Sequence, residues 1–120
     1  MKKLNVWIHC RVTNKSERYL LNYQEKKIKQ IFNEDDVKII GISKEVNAGR
    51  DPHTMALDEI RIYAQRKEID VVIVTDKTRL LVIEERYQEF KLLCNMFDVQ
   101  VVDLHHEELT FQNFLFNICS

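Results

Sequence analysis

The segment Ile69-Asp70-Val71-Val72-Ile73-Val74 limits the possible folds more than any other part of the chain. It is nearly all apolar and mostly β-branched, too short for a typical helix, and so reads as a strand covered on both faces. Such strands belong to parallel sheets with helices packed on either side. Three further strand-like runs are present, at 4–10, 37–42 and 99–104. In the first, Val6, Ile8 and Cys10 share one face and Trp7 points to the other. Helical stripes separate these runs. Residues 16–33 place Leu20, Leu21, Gln24, Ile28, Ile31 and Phe32 along one side, with Ser16 as the expected cap. Residues 43–50 read as a loop. Asp51-Pro52 is expected to open a second helix with Ala56, Leu57, Ile60, Tyr63 and Ala64 as its apolar stripe. Ile83, Tyr87, Phe90, Cys94 and Phe97 form a third stripe, and Phe111, Phe114, Leu115 and Ile118 a last one. Alternating strands and helices predict one α/β domain over residues 1–120. Its layers are of Rossmann type, with a mainly parallel four-stranded sheet and helices on both faces.

Composition narrows the function classes. The chain is 45% hydrophobic and 31% charged, the balance of a globular domain, and no apolar run approaches the ~20 residues of a membrane helix. The Met1-Lys2-Lys3 start leads into a strand-like run and not a signal peptide. Cys10, Cys94 and Cys119 have no metal-like spacing and are expected to be reduced thiols in a cytoplasmic protein. A net charge of −1 with a pI near 6.4 gives little general affinity for phosphate backbones. Lys2-Lys3 and Lys26-Lys27-Lys29 are the densest basic groups, and the second reads as the solvated face of a helix. There is no Gly-rich phosphate loop, so neither a nucleotide nor another cofactor is expected.

In open parallel sheets, sites form where the strands end at their carboxyl edge. The residues beyond the four expected strands include Arg11, Thr13, Glu45, Arg50, Lys77, Arg79 and the run His105-His106-Glu107-Glu108. Arginines around a hydroxyl suit phosphate chemistry, because the guanidinium fork holds phosphate oxygens and offsets developing charge. The adjacent histidines read as polar loop and not as metal ligands. Asp76 and Asp103 sit at strand ends as in response-regulator receivers, but Arg11 stands where that fold carries an acidic pair.

Val6-Trp7-Ile8-His9-Cys10-Arg11-Val12-Thr13, followed by Leu20-Leu21-Asn22-Tyr23-Gln24, resembles the opening of the serine site-specific recombinases, the resolvase/invertase family. There a strand ends Tyr-Ala-Arg-Val-Ser and a helix carries Leu-x-x-Gln. Glu45-Val46-Asn47-Ala48-Gly49 is similar to the family's acid followed by a Ser-Gly loop. Asp70 to Leu80 is similar to a buried strand followed by Leu-Asp-Arg-Leu-Ser-Arg. The resemblance implies a catalytic domain for DNA strand exchange, in which a serine hydroxyl attacks a phosphodiester and arginines neutralise the transition state. It implies Thr13 at the nucleophile position and Arg11 as a phosphate-binding arginine. Gln24 and Glu45 match the supporting polar groups, and Arg79 matches the first arginine of the second motif. Arg11, Arg50, Arg79 and Lys77 are the candidates for contacts to DNA phosphates.

Several positions depart from that pattern. Thr13 is β-branched, which stiffens it for in-line attack. Thr78 replaces the second motif's aspartate and Val82 its second arginine. Asp51-Pro52 stands for Arg-Pro, with Arg50 nearby. The expectation is therefore a degenerate site, inactive alone. Such recombinases continue into a long helix and a DNA-binding domain, whereas this sequence stops at Ser120, so no DNA-binding domain is expected within it. The resemblance implies a mobile-element setting and weak DNA binding by the chain itself. It also implies assembly with another copy or with a full-length recombinase, for which Leu109, Phe111, Phe114, Leu115, Phe116 and Ile118 offer core cover or a contact patch. The alternative is a non-enzymatic interaction module built on the same fold.

Overall fold

The computed structural model describes residues 3–33 and 35–106. The apolar stripe expected at 111–118 lies outside them. Four strands, β1 (Leu4–Val12), β2 (Val37–Val46), β3 (Val71–Val74) and β4 (Gln100–Asp103), form one parallel sheet in the order β2-β1-β3-β4. The helices are α1 (Tyr19–Lys29), α2 (Met55–Gln65) and α3 (Glu84–Met96). Short 3-10 turns at Lys15–Glu17 and Lys77–Arg79 follow β1 and β3.

Alternation along the strands builds two cores. Val6, Ile8, Cys10, Val71, Ile73 and Val102 pack with Leu21 and Ile28 of α1 on one face. Trp7, Val72, Val74 and Val101 pack with Leu57 and Ile60 of α2 and Tyr87, Phe90 and Cys94 of α3 on the other. Truncating a fully buried side chain such as Ile60 or Phe90 to Ala would cost about 2–5 kcal/mol. Gly41 lies opposite Trp7 in the β1–β2 register, and a Cβ there would sit 2.3 Å from the indole. The tryptophan ring thus occupies the space a side chain would need.

The element boundaries correct several expectations. β1 and β2 run on to Val12 and Val46, because residues 7–12 of β1 pair with 41–46 of β2 one for one. Residues 43–46 are therefore strand and not loop. Ser16 lies inside the 3-10 turn and caps nothing. Asn14 precedes that turn, and its backbone N–H donates to the Glu17 carboxylate at 3.1 Å. Asp51-Pro52 forms a turn in which the Asp51 carboxylate accepts from the His53 N–H at 2.8 Å. The cap of α2 is Thr54, whose hydroxyl accepts from the Leu57 N–H. α1 stops at Lys29, short of the expected Asn33.

β3 pairs with β1 only from Val6 to Ile8. Beyond Ile8 the β3 side of β1 is therefore open to other partners. The strand order also reverses its sequence direction between β1 and β3, which makes the gap between their carboxyl ends the natural place for a site.

Candidate phosphate site at the carboxyl edge of the sheet

Gln24 of α1 fills the open side of β1. Its Oε1 accepts from the Arg11 N–H at 3.1 Å and its Nε2 donates to the Arg11 carbonyl at 2.9 Å. The amide thus stands in for a neighbouring strand, and it is buried because both its ends are used. This fixes the backbone of Arg11, which is itself only 2% exposed.

The Arg11 side chain ties three loops together. Nη1 donates to the Thr13 hydroxyl at 3.2 Å and to the Asn47 carbonyl at 2.7 Å, and Nη2 donates to the Thr78 carbonyl at 2.7 Å. Its Nε is buried without a partner among the described residues. Gly49 is the reason the guanidinium fits: its φ is +72°, and a Cβ there would lie 2.7 Å from Cζ of Arg11. Burial, and then the charge of Arg79, lower the Arg11 pKa from its ordinary value, while Glu45 and Glu17 act against that shift. Arg79 comes from the turn after β3 and donates from Nη1 to the Arg11 carbonyl at 3.3 Å. Thr13 is exposed. A solvent-facing hydroxyl therefore stands at hydrogen-bond distance from one guanidinium, with a second guanidinium adjoining.

Glu45 lies opposite Arg11 in the β1–β2 register but turns toward His9, whose Nε2 is 3.4 Å from its Oε2. Ser43 Oγ accepts from Trp7 Nε1 at 3.0 Å and lies 2.6 Å from His9 Nδ1, so one hydroxyl joins both rings. Burial pushes the Glu45 carboxyl up, but hydrogen bonds from His9, Thr54 and Asn47 hold it below its ordinary value.

The remaining candidates lie apart from this cluster. Lys77 pairs with Glu84 at 2.9 Å. Arg50 is exposed, and its backbone carbonyl, not its side chain, is engaged, by Arg86. Among the described residues the Arg50 side chain makes no hydrogen bond or ion pair. His9 and Ser43 are supporting residues to which motif matching gives no role, whereas Gly49, one of two glycines in the chain, ends the segment similar to the family's Ser-Gly loop.

An adjoining cleft of about 210 Å³ is lined by Tyr23, Gln24, Lys27, Thr75, Arg79 and His105, together with Leu20 and Asp76. A larger hollow, about 400 Å³, lies between Lys91 and Val101 at the amino end of β4 and contains none of these groups. Asp76, Asp103 and His106 bring their ligand atoms within 4.8 Å of one another, a spacing that could hold a cation. Asp103 is already engaged there: Oδ2 accepts from the Lys77 N–H at 3.0 Å and faces His106 Nδ1 at 2.8 Å, and Oδ1 accepts from the His105 N–H. No helix among the described residues is long and apolar enough to cross a membrane.

The family model described as the N-terminal domain of resolvase matches residues 6–120. The chain belongs to the resolvase family. Solved structures agree on the fold. The C-terminal catalytic domain of ISC1926 TnpA, an IS607-like serine recombinase, is 18% identical with a TM-score of 0.77, over 84% of this chain and 70% of that one. The N-terminal catalytic domain of TP901-1 integrase is 15% identical with a TM-score of 0.74, over 95% and 92% of the two chains. A resolvase family site-specific recombinase from Streptococcus pneumoniae is 13% identical with a TM-score of 0.73, over 98% and 86%. A search of curated proteins found no match. At these identities the structural likeness carries the fold, and the site of this resolvase-family domain has to be argued from its own residues.

Proposed function

We propose that this domain takes part in site-specific DNA strand exchange, using the Arg11–Thr13–Arg79 edge to hold a DNA phosphate, and that its cleavage chemistry is degenerate. The observation that carries the reading is the exposed Thr13 hydroxyl 3.2 Å from Nη1 of the buried Arg11. A phosphate placed against that hydroxyl meets two cations whose positions are set by Gln24 and by β1 itself. Gln24 and Glu45 are positioning groups in this scheme, the first holding the Arg11 backbone and the second the loop that carries Asn47.

In a working site of this kind the hydroxyl oxygen forms a bond to phosphorus while the bond to the 3′ oxygen breaks, and the leaving oxygen takes up a proton. Here the cations and the acid that would organise that step are incomplete. Thr78 has no carboxylate, Val82 has no charge, and two Nη donors of Arg11 are committed to the carbonyls of Asn47 and Thr78. Losing even one preorganised donor costs roughly 2.7–4 kcal/mol of transition-state stabilisation. Binding with chemistry lost favours a role inside an assembly, with a second copy or a full-length recombinase, in a cytoplasmic, mobile-element setting. Lys77 and Arg50 are outer candidates for DNA contacts in that assembly.

The test is a trap for covalent adducts on supercoiled DNA and on nicked suicide substrates, run with the chain alone and with a full-length relative. No protein-linked 5′ end is expected from the wild type or from Thr13→Ser. An adduct from the wild type would overturn degeneracy. An adduct from Thr13→Ser alone would identify the hydroxyl as the main defect.

A further inference from the structure

Tyr23 and Lys27 line the cleft beside Arg79 and also an adjoining hollow of about 250 Å³, completed by Lys26 and Gln30. The two depressions therefore run into each other along α1. We propose that this exposed face of α1 is a track for the sugar-phosphate backbone of duplex DNA, continuing outward from the cleft. The inference rests on the reading of the Arg11–Thr13–Arg79 edge as a phosphate site and extends it, through the cleft that Arg79 lines, to neighbouring phosphates.

The helix supplies the geometry. Tyr19, Tyr23, Lys26, Lys27 and Gln30 fall at i, i+4, i+7, i+8 and i+11, one stripe of an α-helix, beside the buried stripe of Leu21, Gln24 and Ile28. Tyr19 is 71% and Tyr23 59% exposed, unusual for large aromatic side chains on a helix that has a core to join.

Charge supplies the occupant. Residues 15–30 hold five basic and two acidic side chains, in a chain whose formal net charge is −1. One of those acids, Glu25, is taken by Lys29 at 2.6 Å and Lys44 at 2.7 Å. Lys26 and Lys27 make no ion pair among the described residues, and neither does Arg79. The uncompensated positive charge thus lies where the two hollows meet, and a polyanion with regularly spaced charges complements it. The Tyr23 hydroxyl has no hydrogen bond among the described residues and can donate to a phosphate oxygen. An acidic protein surface would also answer the charge, but nothing in it requires a path that begins at two arginines.

A short fluorescein-labelled DNA duplex titrated at several salt concentrations tests this. Lys26→Gln/Lys27→Gln is expected to weaken binding at least tenfold at low salt. It should also reduce the slope of log K against log salt by about 1.8, the release of roughly two phosphate contacts. Tyr23→Phe should weaken binding a few-fold and leave the slope alone, since it removes a neutral donor. Lys38→Gln, on β2 at the opposite end of the sheet, should change neither. Unchanged affinity and slope in the double lysine variant would overturn the inference. So would equal losses from Lys38→Gln, or no binding by the wild type at low salt. Arg79→Gln separates the two readings. Loss in the lysine variant with none in Arg79→Gln supports the α1 track and removes the cleft, whereas the reverse pattern removes the track and keeps the cleft.

Discussion

Arg11 near the end of β1 and Asp103 at the end of β4 are both 2% exposed, and the protein treats these two buried charges differently. Asp103 is spent on its own surroundings. Its oxygens receive the N–H groups of Lys77 and His105, and His106 folds back onto it. The result is a staple between β4 and the turn after β3. Arg11 has most of its hydrogen bonds met, but by neutral carbonyls and by the Thr13 hydroxyl. The acid across from it, Glu45, is engaged by His9, and the next cation, Arg79, sits on its carbonyl. Arg11 thus has both its Nη atoms engaged while its Nε and its charge meet no acceptor or carboxylate among the described residues. That difference separates a site from a scaffold at the same sheet edge, and both halves of it can be tested.

The largest effect is expected from Arg11→Met. It leaves the carbonyls of Asn47 and Thr78 without their donor and unties three loops, at a cost of about 3 kcal/mol in urea unfolding. Gly49→Ala tests whether the guanidinium itself shapes the loop. In the wild type it meets Arg11 at 2.7 Å and also requires a positive φ. In the Arg11→Met background only the backbone strain should remain, about 1 kcal/mol. Equal penalties in the two backgrounds would show that the loop is shaped by something other than Arg11.

Asp103→Asn comes next, at about 2 kcal/mol. Its amide would turn an N–H toward either Lys77 N–H or His105 N–H, so one acceptor is lost and two donors are opposed. Thermal melts should show this loss with and without Mn2+. A Tm that rises on adding Mn2+ to the wild type would make Asp76, Asp103 and His106 a cation site and end the description of Asp103 as a staple.

The sheet was legible because its strands obey a period of two and its helices a period near 3.6. Val6, Ile8 and Cys10 against Trp7 is the arrangement found. The ends of elements were not legible, because turn chemistry decides them. Thr54 caps α2 in place of Asp51-Pro52, and α1 begins after a 3-10 turn that Asn14 and Glu17 close, with no side-chain cap from Ser16. At the site, order along the chain placed Arg11, Thr13, Gln24 and Arg79 near one another. It could not say that Arg11 would spend Nη1 and Nη2 on carbonyls, since those partners are backbone and carry no residue signature. Lys77 and Arg50 stand beside Arg79 as candidate phosphate cations in sequence, although only Arg79 matches the second motif. The Lys77–Glu84 pair and the exposed position of Arg50 set them apart in space.

A smaller, pH-dependent effect tests the acid on the Arg11 side. Glu45 is held below its ordinary pKa by His9, Thr54 and Asn47, against the opposing effect of burial. A depressed folded value means that the carboxylate stabilises the fold above the unfolded pKa, about 4.3, and that this contribution is lost as pH falls through the lower folded value. Glu45→Gln should therefore cost stability near neutral pH, and that cost should shrink as pH falls below the unfolded value toward and past the lower folded one. Parallel curves for the two proteins across that range would mean that Glu45 owes nothing to its three partners.

The smallest effect should be at Thr13, and its smallness is what gives it value. The side chain is exposed and its one hydrogen bond among the described residues, 3.2 Å from Nη1 of Arg11, is at the long end for its kind. Arg11 keeps its two carbonyl partners without it, so water can replace the hydroxyl at little cost. Thr13→Ala should change unfolding free energy by less than about 0.5 kcal/mol, the range of a surface substitution. Stability therefore gives no reason for a hydroxyl to stand there, in contrast to Arg11 and Asp103, whose burial alone accounts for their cost. Binding of a short DNA duplex gives the contrasting readout: Thr13→Ala should weaken it while the melt stays fixed. A destabilisation of 2 kcal/mol or more, about what Asp103→Asn should cost, would place Thr13 with the scaffold and leave the Arg11–Arg79 pair without a hydroxyl to present to a phosphate.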